Sequence, residues 1–448
     1  MMKQRATFNS KLGLIMASVG SAVGLGNIWR FPCEAGEHGG GAFLIVYVFC
    51  VMILGMVVML AEFFLGRASQ QDSVGAFKIL APRSMWKILG YNGVIAAFLI
   101  FGFYSVVSGW TLEYMYQSIT GNLNANSVEE FTENFGSFTS DMFRPILWVL
   151  VFTLITHFVV LSGVKKGIER ASKIMMPMLF VILIILCIRS LMLPNSLAGL
   201  KFFFNPDFSK ITSGVVLSAL GQAFFSVSVG MGCMITYASY FHKSINMPNT
   251  AVSVVTIDTL VAILAGVIIF PAVTSFGISP SQGPTLVFVT LPNIFQQMPF
   301  GSLWSFIFFV LLAIAALTSI ISLHEVATAY LHEQHRMSRF KAATIVSSGG
   351  FVLGVICSLS FGVLSHVKIL GLTVFDLLDF VTANLMLPIG GMFICIFVGW
   401  RVNKKVLKAE LTNNGTLKFR LFSVFVFLVK YVAPIIIALV CIKQLGLF

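Results

Sequence analysis

The sequence predicts an all-α polytopic membrane protein: a five-plus-five inverted-repeat fold with helices 1 and 6 broken, plus one extra helix. Three observations predict it. Of the 448 residues, 57% are hydrophobic and only 10% charged, against about 25% charged in soluble domains. The apolar residues come in long runs separated by short charged stretches, the pattern of successive bilayer-spanning helices. A Val-Gly-x-Gly quartet in the first run, Val23-Gly24-Leu25-Gly26, returns in the sixth as Val229-Gly230-Met231-Gly232.

At about 20 residues per span, the runs place helices α1 to α11 at 11–36, 41–66, 88–119, 145–163, 171–190, 213–241, 251–277, 304–331, 342–361, 371–400 and 421–443. The basic start resembles a signal peptide, but its apolar stretch continues without a turn into the Gly-rich quartet, so α1 reads as a retained helix. Lys3, Arg5 and Lys11 precede α1, and alternate loops carry Arg67/Lys78/Arg83/Lys87, Lys165/Lys166/Arg170/Lys173, Lys243, Arg336/Arg339/Lys341 and Arg401/Lys404/Lys405/Lys408/Lys418/Arg420. The intervening loops are poor in Lys and Arg. The positive-inside rule then puts the N-terminus in the cytoplasm and, with an odd helix count, the C-terminus outside, in a bacterial inner (plasma) membrane.

The net charge of +12 is explained by this topology. A nucleic-acid partner is not expected, because the basic residues form no stripe with stacking aromatics. Seven cysteines lie mostly in apolar segments without paired metal spacing. Since α1 begins inside and α6 outside, the two quartets make residues 1–190 (α1–α5) and 213–400 (α6–α10) repeats of inverted topology, with α11 at 421–443 outside them.

One Gly-x-Gly in a membrane helix reads equally well as close packing. Two at matched positions point to broken helices, whose freed carbonyls and amides must line a polar cavity. The carbonyls suit a hard cation and the half-helix N-termini an anionic group such as a carboxylate. Sodium with an amino acid fits both. Nearby stand Asn27, Ser226, Ser228, Thr318 and Ser319, and the intramembrane acid Asp258. The plainer reading of the hydroxyls is bonding to their own helix carbonyls, whereas an acid in lipid reads as functional by default. Glu62 either bonds backbone freed by a break or sits near the interface.

The segments GSAVGLGNIWRFPCEAGEHGGGAF, AEFFLGR, GWTLEY, GQAFFSVSVGMGCMITYASY and ALTS together resemble the neurotransmitter:sodium symporter family, in order across α1 to α10, and the eleven-helix chain is similar to the bacterial leucine, tyrosine and tryptophan transporters. The resemblance implies two sodium sites, one from Ala22, Asn27, Ser226, Asp258 and the substrate carboxylate, the other from Gly20, Val23, Ala315, Thr318 and Ser319. It implies a substrate site where Tyr104 and Gly26 hold the carboxylate and Ala22, Phe225, Ser226 and Ser228 the amine. Ile100, Phe225, Met231, Ser319 and Leu323 would surround the side chain, with Leu25 beside them. Arg30 and Asp379, with Gln222 close by, match an external gate, and Arg5 with Glu333 an internal one, Glu333 standing where the family has Asp.

Three departures matter. Asp258 stands where many members have Asn, and Ala262 where chloride-independent relatives carry Glu and chloride-dependent ones Ser, so the negative charge is kept but moved and chloride is not expected to be required. Gly24 replaces the Asp of monoamine transporters, which favours a substrate bringing its own carboxylate. The chain has eleven helices where many relatives have twelve. The expected function is sodium-coupled import of a hydrophobic or aromatic α-amino acid, the alternative a transporter or sensor of another carboxylated solute. A channel lacks a filter-like repeat, and an enzyme built on Asp258, Glu62, His157 or His324 lacks a nucleophile and base pair.

Overall fold

The computed structural model describes residues 7–125, 127–277 and 286–444, and within them the chain is helical without a named strand. Among the described residues nine helices are long and apolar enough to cross a membrane: Gly41–Ser69 (α2), Lys87–Thr120 (α3), Arg144–Leu161 (α4), Val164–Leu191 (α5), Met247–Ser275 (α7), Gly301–Gln334 (α8), Arg339–Leu359 (α9), Val374–Arg401 (α10) and Phe422–Lys443 (α11). The first span is a pair, Lys11–Ala22 and Gly26–Glu37, bent by 53°. The sixth is Ser213–Ser226 and Cys233–Ala238, divided by residues 227–232. Counting the bent pair as one, the described residues hold ten spans by length and composition, and the expected sixth is present as these two shorter helices.

Side-chain caps set several starts: Ser10, Thr212 and Ser338 accept from the backbone amide three residues on, as does Asn246, which is followed by a proline at the first turn of α7. The helix α3 ends at Gly121, whose φ of 71° only glycine adopts without strain.

Burial separates the helices by role. In α3 and α8 the most apolar windows are 83% and 72% buried, in α4 and α5 only 33%. The first pair forms the centre, and the second keeps apolar side chains toward lipid, as a bilayer permits. Small residues let α3 and α9 approach: a Cβ on Gly350 would lie 2.0 Å from the Phe101 ring and one on Gly102 2.5 Å from Leu353.

The basic loops meet at one end of the bundle. Arg67, 1% exposed, donates to Glu410 and to the Ile245 carbonyl, and Lys243 pairs with the same Glu410 at 2.8 Å. Arg339 pairs with Glu325 at 2.6 Å, and Glu169 accepts from the Asn9 amide and from Lys173. Five short segments read as connections are helical: Ser73–Leu80, Val128–Ser140, Ser196–Phe204, Leu291–Gln296 and Lys404–Leu411. The polar stretch at 120–144 holds one of them, capped by Ser127 with Glu129 and Glu130 in its first turn, where acids favour the helix dipole.

Candidate functional site

Both breaks lie in the bundle interior, and their freed backbone groups are answered by side chains. Val23 leaves helical geometry at ψ 113°, while Ser228, Gly230 and Gly232 take φ values of 53°, 85° and 77°. The Ser228 hydroxyl donates to the Ser21 carbonyl at 2.8 Å and the Gln222 amide to the Gly26 carbonyl at 2.9 Å, so each break holds the other. The Gly230 amide donates to Glu62 Oε1 at 2.6 Å, and Glu62 is fully buried. Of the two readings of Glu62, the structure therefore takes the one in which it serves backbone freed by a break.

Beside the breaks, Asp258 of α7 is 0% exposed. Its carboxylate accepts from Asn27 Nδ2 at 2.8 Å and from the Ser226 hydroxyl at 2.5 Å. Asn27 Nδ2 also reaches the Asp258 carbonyl, and Asn27 Oδ1 accepts from the Gly24 amide at 3.1 Å. Three residues singled out in the sequence, on α1, α6 and α7, thus form one cluster. Tyr47 of α2 joins it by donating to the Ser226 hydroxyl at 3.0 Å. Tyr47 was not read as a site residue, since it sits in an apolar run without any polar neighbour. Among the described residues no Lys, Arg or His forms an ion pair with Asp258.

A cavity of about 30 Å³ between the breaks brings together ten of the residues named for the substrate site, Ala22, Gly26, Ile100, Tyr104, Phe225, Ser226, Ser228, Met231, Ser319 and Leu323, without Leu25, and adds Gly24, Ser21 and Ser322. The last two were missed; Ser21 donates to Ser322 at 2.9 Å, a helix-to-helix bond between residues about 300 positions apart that leaves no trace in local pattern. Tyr104 accepts from the Leu25 amide at 3.0 Å, and Ser319 donates to the Val23 carbonyl at 3.1 Å. Gly24 faces both hydroxyls: a Cβ there would lie 2.5 Å from Ser319 Oγ and 2.9 Å from Tyr104 Oη. At Gly26 it would meet the Phe225 ring at 2.8 Å.

The second expected cation set is also assembled, in part. Gly20 of α1 packs against Thr318 of α8, to which an added Cβ would come within 3.1 Å, and Ser319 bonds Val23 as above. Ala315 lies one turn before, buried. The Thr318 hydroxyl bonds back to the Ile314 and Ala315 carbonyls at 3.2 and 3.0 Å, the plainer of its two readings.

Gly26, Tyr104 and Phe225 line both this cavity and a vestibule of about 300 Å³, which also touches Leu25, Arg30, Glu34 and Asp379. Arg30 and Asp379 share this space without an ion pair between them; Arg30 pairs instead with Glu34 at 3.6 Å and lies 4.9 Å above the Phe225 ring. Glu34 was not read as a site residue. At the opposite end, Glu333 Oε2 accepts from the Asp72 amide at 2.8 Å. Its expected partner Arg5 lies outside the described residues.

Comparison with known proteins shows the family and the fold. The model of the sodium:neurotransmitter symporter family matches residues 5–137 and 126–448. The chain belongs to that family. Among its relatives, the sodium-dependent transporter YhdH of Bacillus subtilis is 40% identical over 98% of this chain and 97% of its own, and a sodium-dependent transporter of Haemophilus influenzae is 38% identical over 99% of both. The sodium- and chloride-dependent creatine transporter 1 of rabbit, Oryctolagus cuniculus, is 27% identical over 88% of this chain and 70% of its own. The crystal structure of MhsT in complex with L-phenylalanine superposes with a TM-score of 0.91 at 45% identity, covering 98% of this chain and all of that one. The protein is therefore a multi-pass, sodium-dependent transporter with the symporter fold.

Proposed function

We propose that this symporter imports an α-amino acid with a hydrophobic or aromatic side chain, driven by sodium and without chloride. The observation that carries the reading is Asp258, buried with neutral donors only. An ionised carboxylate so placed costs several kcal/mol unless a cation offsets it. The groups gathered there are oxygens, carboxylate, hydroxyl, amide and carbonyl, which fit a hard cation rather than a transition metal. Among the described residues no cluster of three His, Cys, Asp or Glu offers another kind of centre.

Ala22, Asn27, Ser226 and Asp258 would hold one sodium with the substrate carboxylate, and Gly20, Val23, Ala315, Thr318 and Ser319 a second. The ions supply positive charge to the substrate carboxylate and to Asp258; the rest is done by the chain. Tyr104 and the Gly26 amide orient the carboxylate, and the Ala22, Phe225 and Ser226 carbonyls with Ser228 the amine. Gly24 leaves no side chain to pair with an amine, so a substrate carrying its own carboxylate is favoured. Ile100, Phe225, Met231 and Leu323 offer apolar surface without a charge, and the solved relative was crystallised with L-phenylalanine.

The cavity is near the size of one water, so an amino acid enters only when its walls part. Rocking of α1, α2, α6 and α7 against the remaining helices would open it alternately to the two sides. Arg30, Gln222 and Asp379 would close it from outside and Arg5 with Glu333 from inside. The repeats at 1–190 and 213–400 provide the symmetry for this motion. The basic loops gathered at one end support a cytoplasmic N-terminus and an external C-terminus in the bacterial inner membrane.

Chloride independence is supported by the donors around Asp258. The Ser226 hydroxyl points at the Asp258 carboxylate and Tyr47 at Ser226, so the hydroxyls that could hold an anion are turned to a fixed one. Uptake at saturating sodium is expected to be equal in chloride and gluconate. Binding of radiolabelled amino acids to purified protein, in sodium and in potassium, tests the whole reading. Sodium-dependent binding of apolar amino acids, lost in Asp258→Ala, is the expected result, and binding indifferent to the cation would refute the coupling.

A further inference from the structure

We propose that Glu34 is a positioning residue of the outer gate, competing with Asp379 for Arg30. This rests on the transport reading above and adds to it a residue that the reading did not assign. Arg30 Nε lies 3.6 Å from Glu34 Oε1, one turn along the same helix, with side chains 33% and 24% exposed to the vestibule. Glu34 is itself held by a neighbouring helix, since the Ser218 hydroxyl of α6 donates to its Oε2. Its backbone carbonyl accepts from His38 Nδ1 at 2.9 Å, and that nitrogen also stands 3.6 Å from Glu34 Oε2. The guanidinium is steadied on its other side by the Phe225 ring, 4.9 Å away.

Asp379 of α10 lines the same vestibule and offers Arg30 a second carboxylate on the facing wall. Arg30 is turned to Glu34 and makes no ion pair with Asp379: its pair with Glu34 stays within α1, whereas a pair with Asp379 would tie α1 to α10. Glu34 and Asp379 therefore compete for one cation, and the competition sets how readily the vestibule shuts. Removing the Glu34 charge while keeping its shape favours the closed arrangement. Exposed ion pairs of this kind shift such equilibria by about 2- to 5-fold.

The test needs no substrate. Spin labels at Leu370, 91% exposed before α10, and at Phe208, 66% exposed before α6, report the width of the outer opening by pulsed electron resonance in sodium alone. In Glu34→Gln the population at the shorter distance is expected to rise about 2- to 5-fold, and in the double variant Glu34→Gln/Asp379→Asn to return to that of Asp379→Asn. An unchanged distribution in Glu34→Gln, or the same shift with and without Asp379, would overturn the proposal. Glu34→Asp, which keeps the charge, serves as the rescue control. Sodium-dependent amino-acid binding by the unlabelled protein, measured separately, tells a failure of this proposal from a failure of the transport reading.

Discussion

A methyl group at Gly24 tests the site where it is tightest. The added Cβ of Gly24→Ala would lie 2.5 Å from Ser319 Oγ and 2.9 Å from Tyr104 Oη, both below any real carbon contact. Neither hydroxyl is free to yield, because Ser319 donates to the Val23 carbonyl and Tyr104 accepts from the Leu25 amide. Overpacking of this sort costs about 1–3 kcal/mol, and each hydrogen bond displaced adds about 1 kcal/mol. The break would be prised from α3 and α8, and affinity for the amino acid is expected to fall by about 10- to 100-fold, as 1.4 to 2.8 kcal/mol corresponds to one to two decades. Scintillation proximity binding in saturating sodium gives the dissociation constant. Gly136→Ala, whose added carbon meets nothing within 4 Å, is the control and should bind as the parent does. Removing the nearest atom relieves the Ser319 clash and leaves that with Tyr104, so Gly24→Ala/Ser319→Ala is expected to lose less affinity than the two single losses added together. Binding by Gly24→Ala within threefold of the parent would refute the reasoning.

Two further outcomes follow from structure outside the site. Arg67→Ala removes the buried guanidinium that ties α2 to Glu410 and to the Ile245 carbonyl, leaving Glu410 with Lys243 and the carbonyl with Asn413; a loss of about 1.5–3 kcal/mol in stability is expected, read as a lowered Tm in detergent, with Lys404–Leu411 becoming sensitive to protease. Asp141 precedes α4 and accepts from the Arg144 and Phe143 amides, which hold its carboxyl below the ordinary aspartate value of 3.8. A depressed carboxyl stabilises above the unfolded value and loses that contribution as pH falls through the folded one, so amide protection at the start of α4, taken relative to the intrinsic exchange rate, should fall below about pH 4. Asp141→Ala should show the lower protection already at neutral pH and no further change on acidification.

The membrane spans were legible because hydrocarbon demands uninterrupted apolar helix, and the breaks because paired glycines at matching depths in α1 and α6 contradict that demand. Once the breaks are located, Asn27, Ser226 and Asp258 follow, being polar groups within a few residues of them or alone in an apolar helix. Tyr47, Ser21 and Ser322 reach the site only through the packing of α2, α1 and α8, which no single stretch encodes. Glu34 was hidden differently, since a carboxylate near a helix end looks like an interfacial residue until Ser218 and Arg30 are seen on either side of it. The short connecting helices were missed because 6 to 13 polar or amphipathic residues do not declare a period, as in Val128–Ser140. The charge pattern of the loops was read as topology, and the ion pairs that unite those loops at one end, Arg67 and Lys243 on a shared Glu410, emerge only from the fold.

The central claim is that a sodium gradient drives an apolar amino acid through this protein. Purified transporter in sealed vesicles, loaded with potassium and diluted into sodium, should accumulate radiolabelled phenylalanine or leucine above the external concentration, and the accumulation should collapse when the sodium gradient is dissipated. Uptake that merely equilibrates, or proceeds equally with potassium outside, would contradict the account.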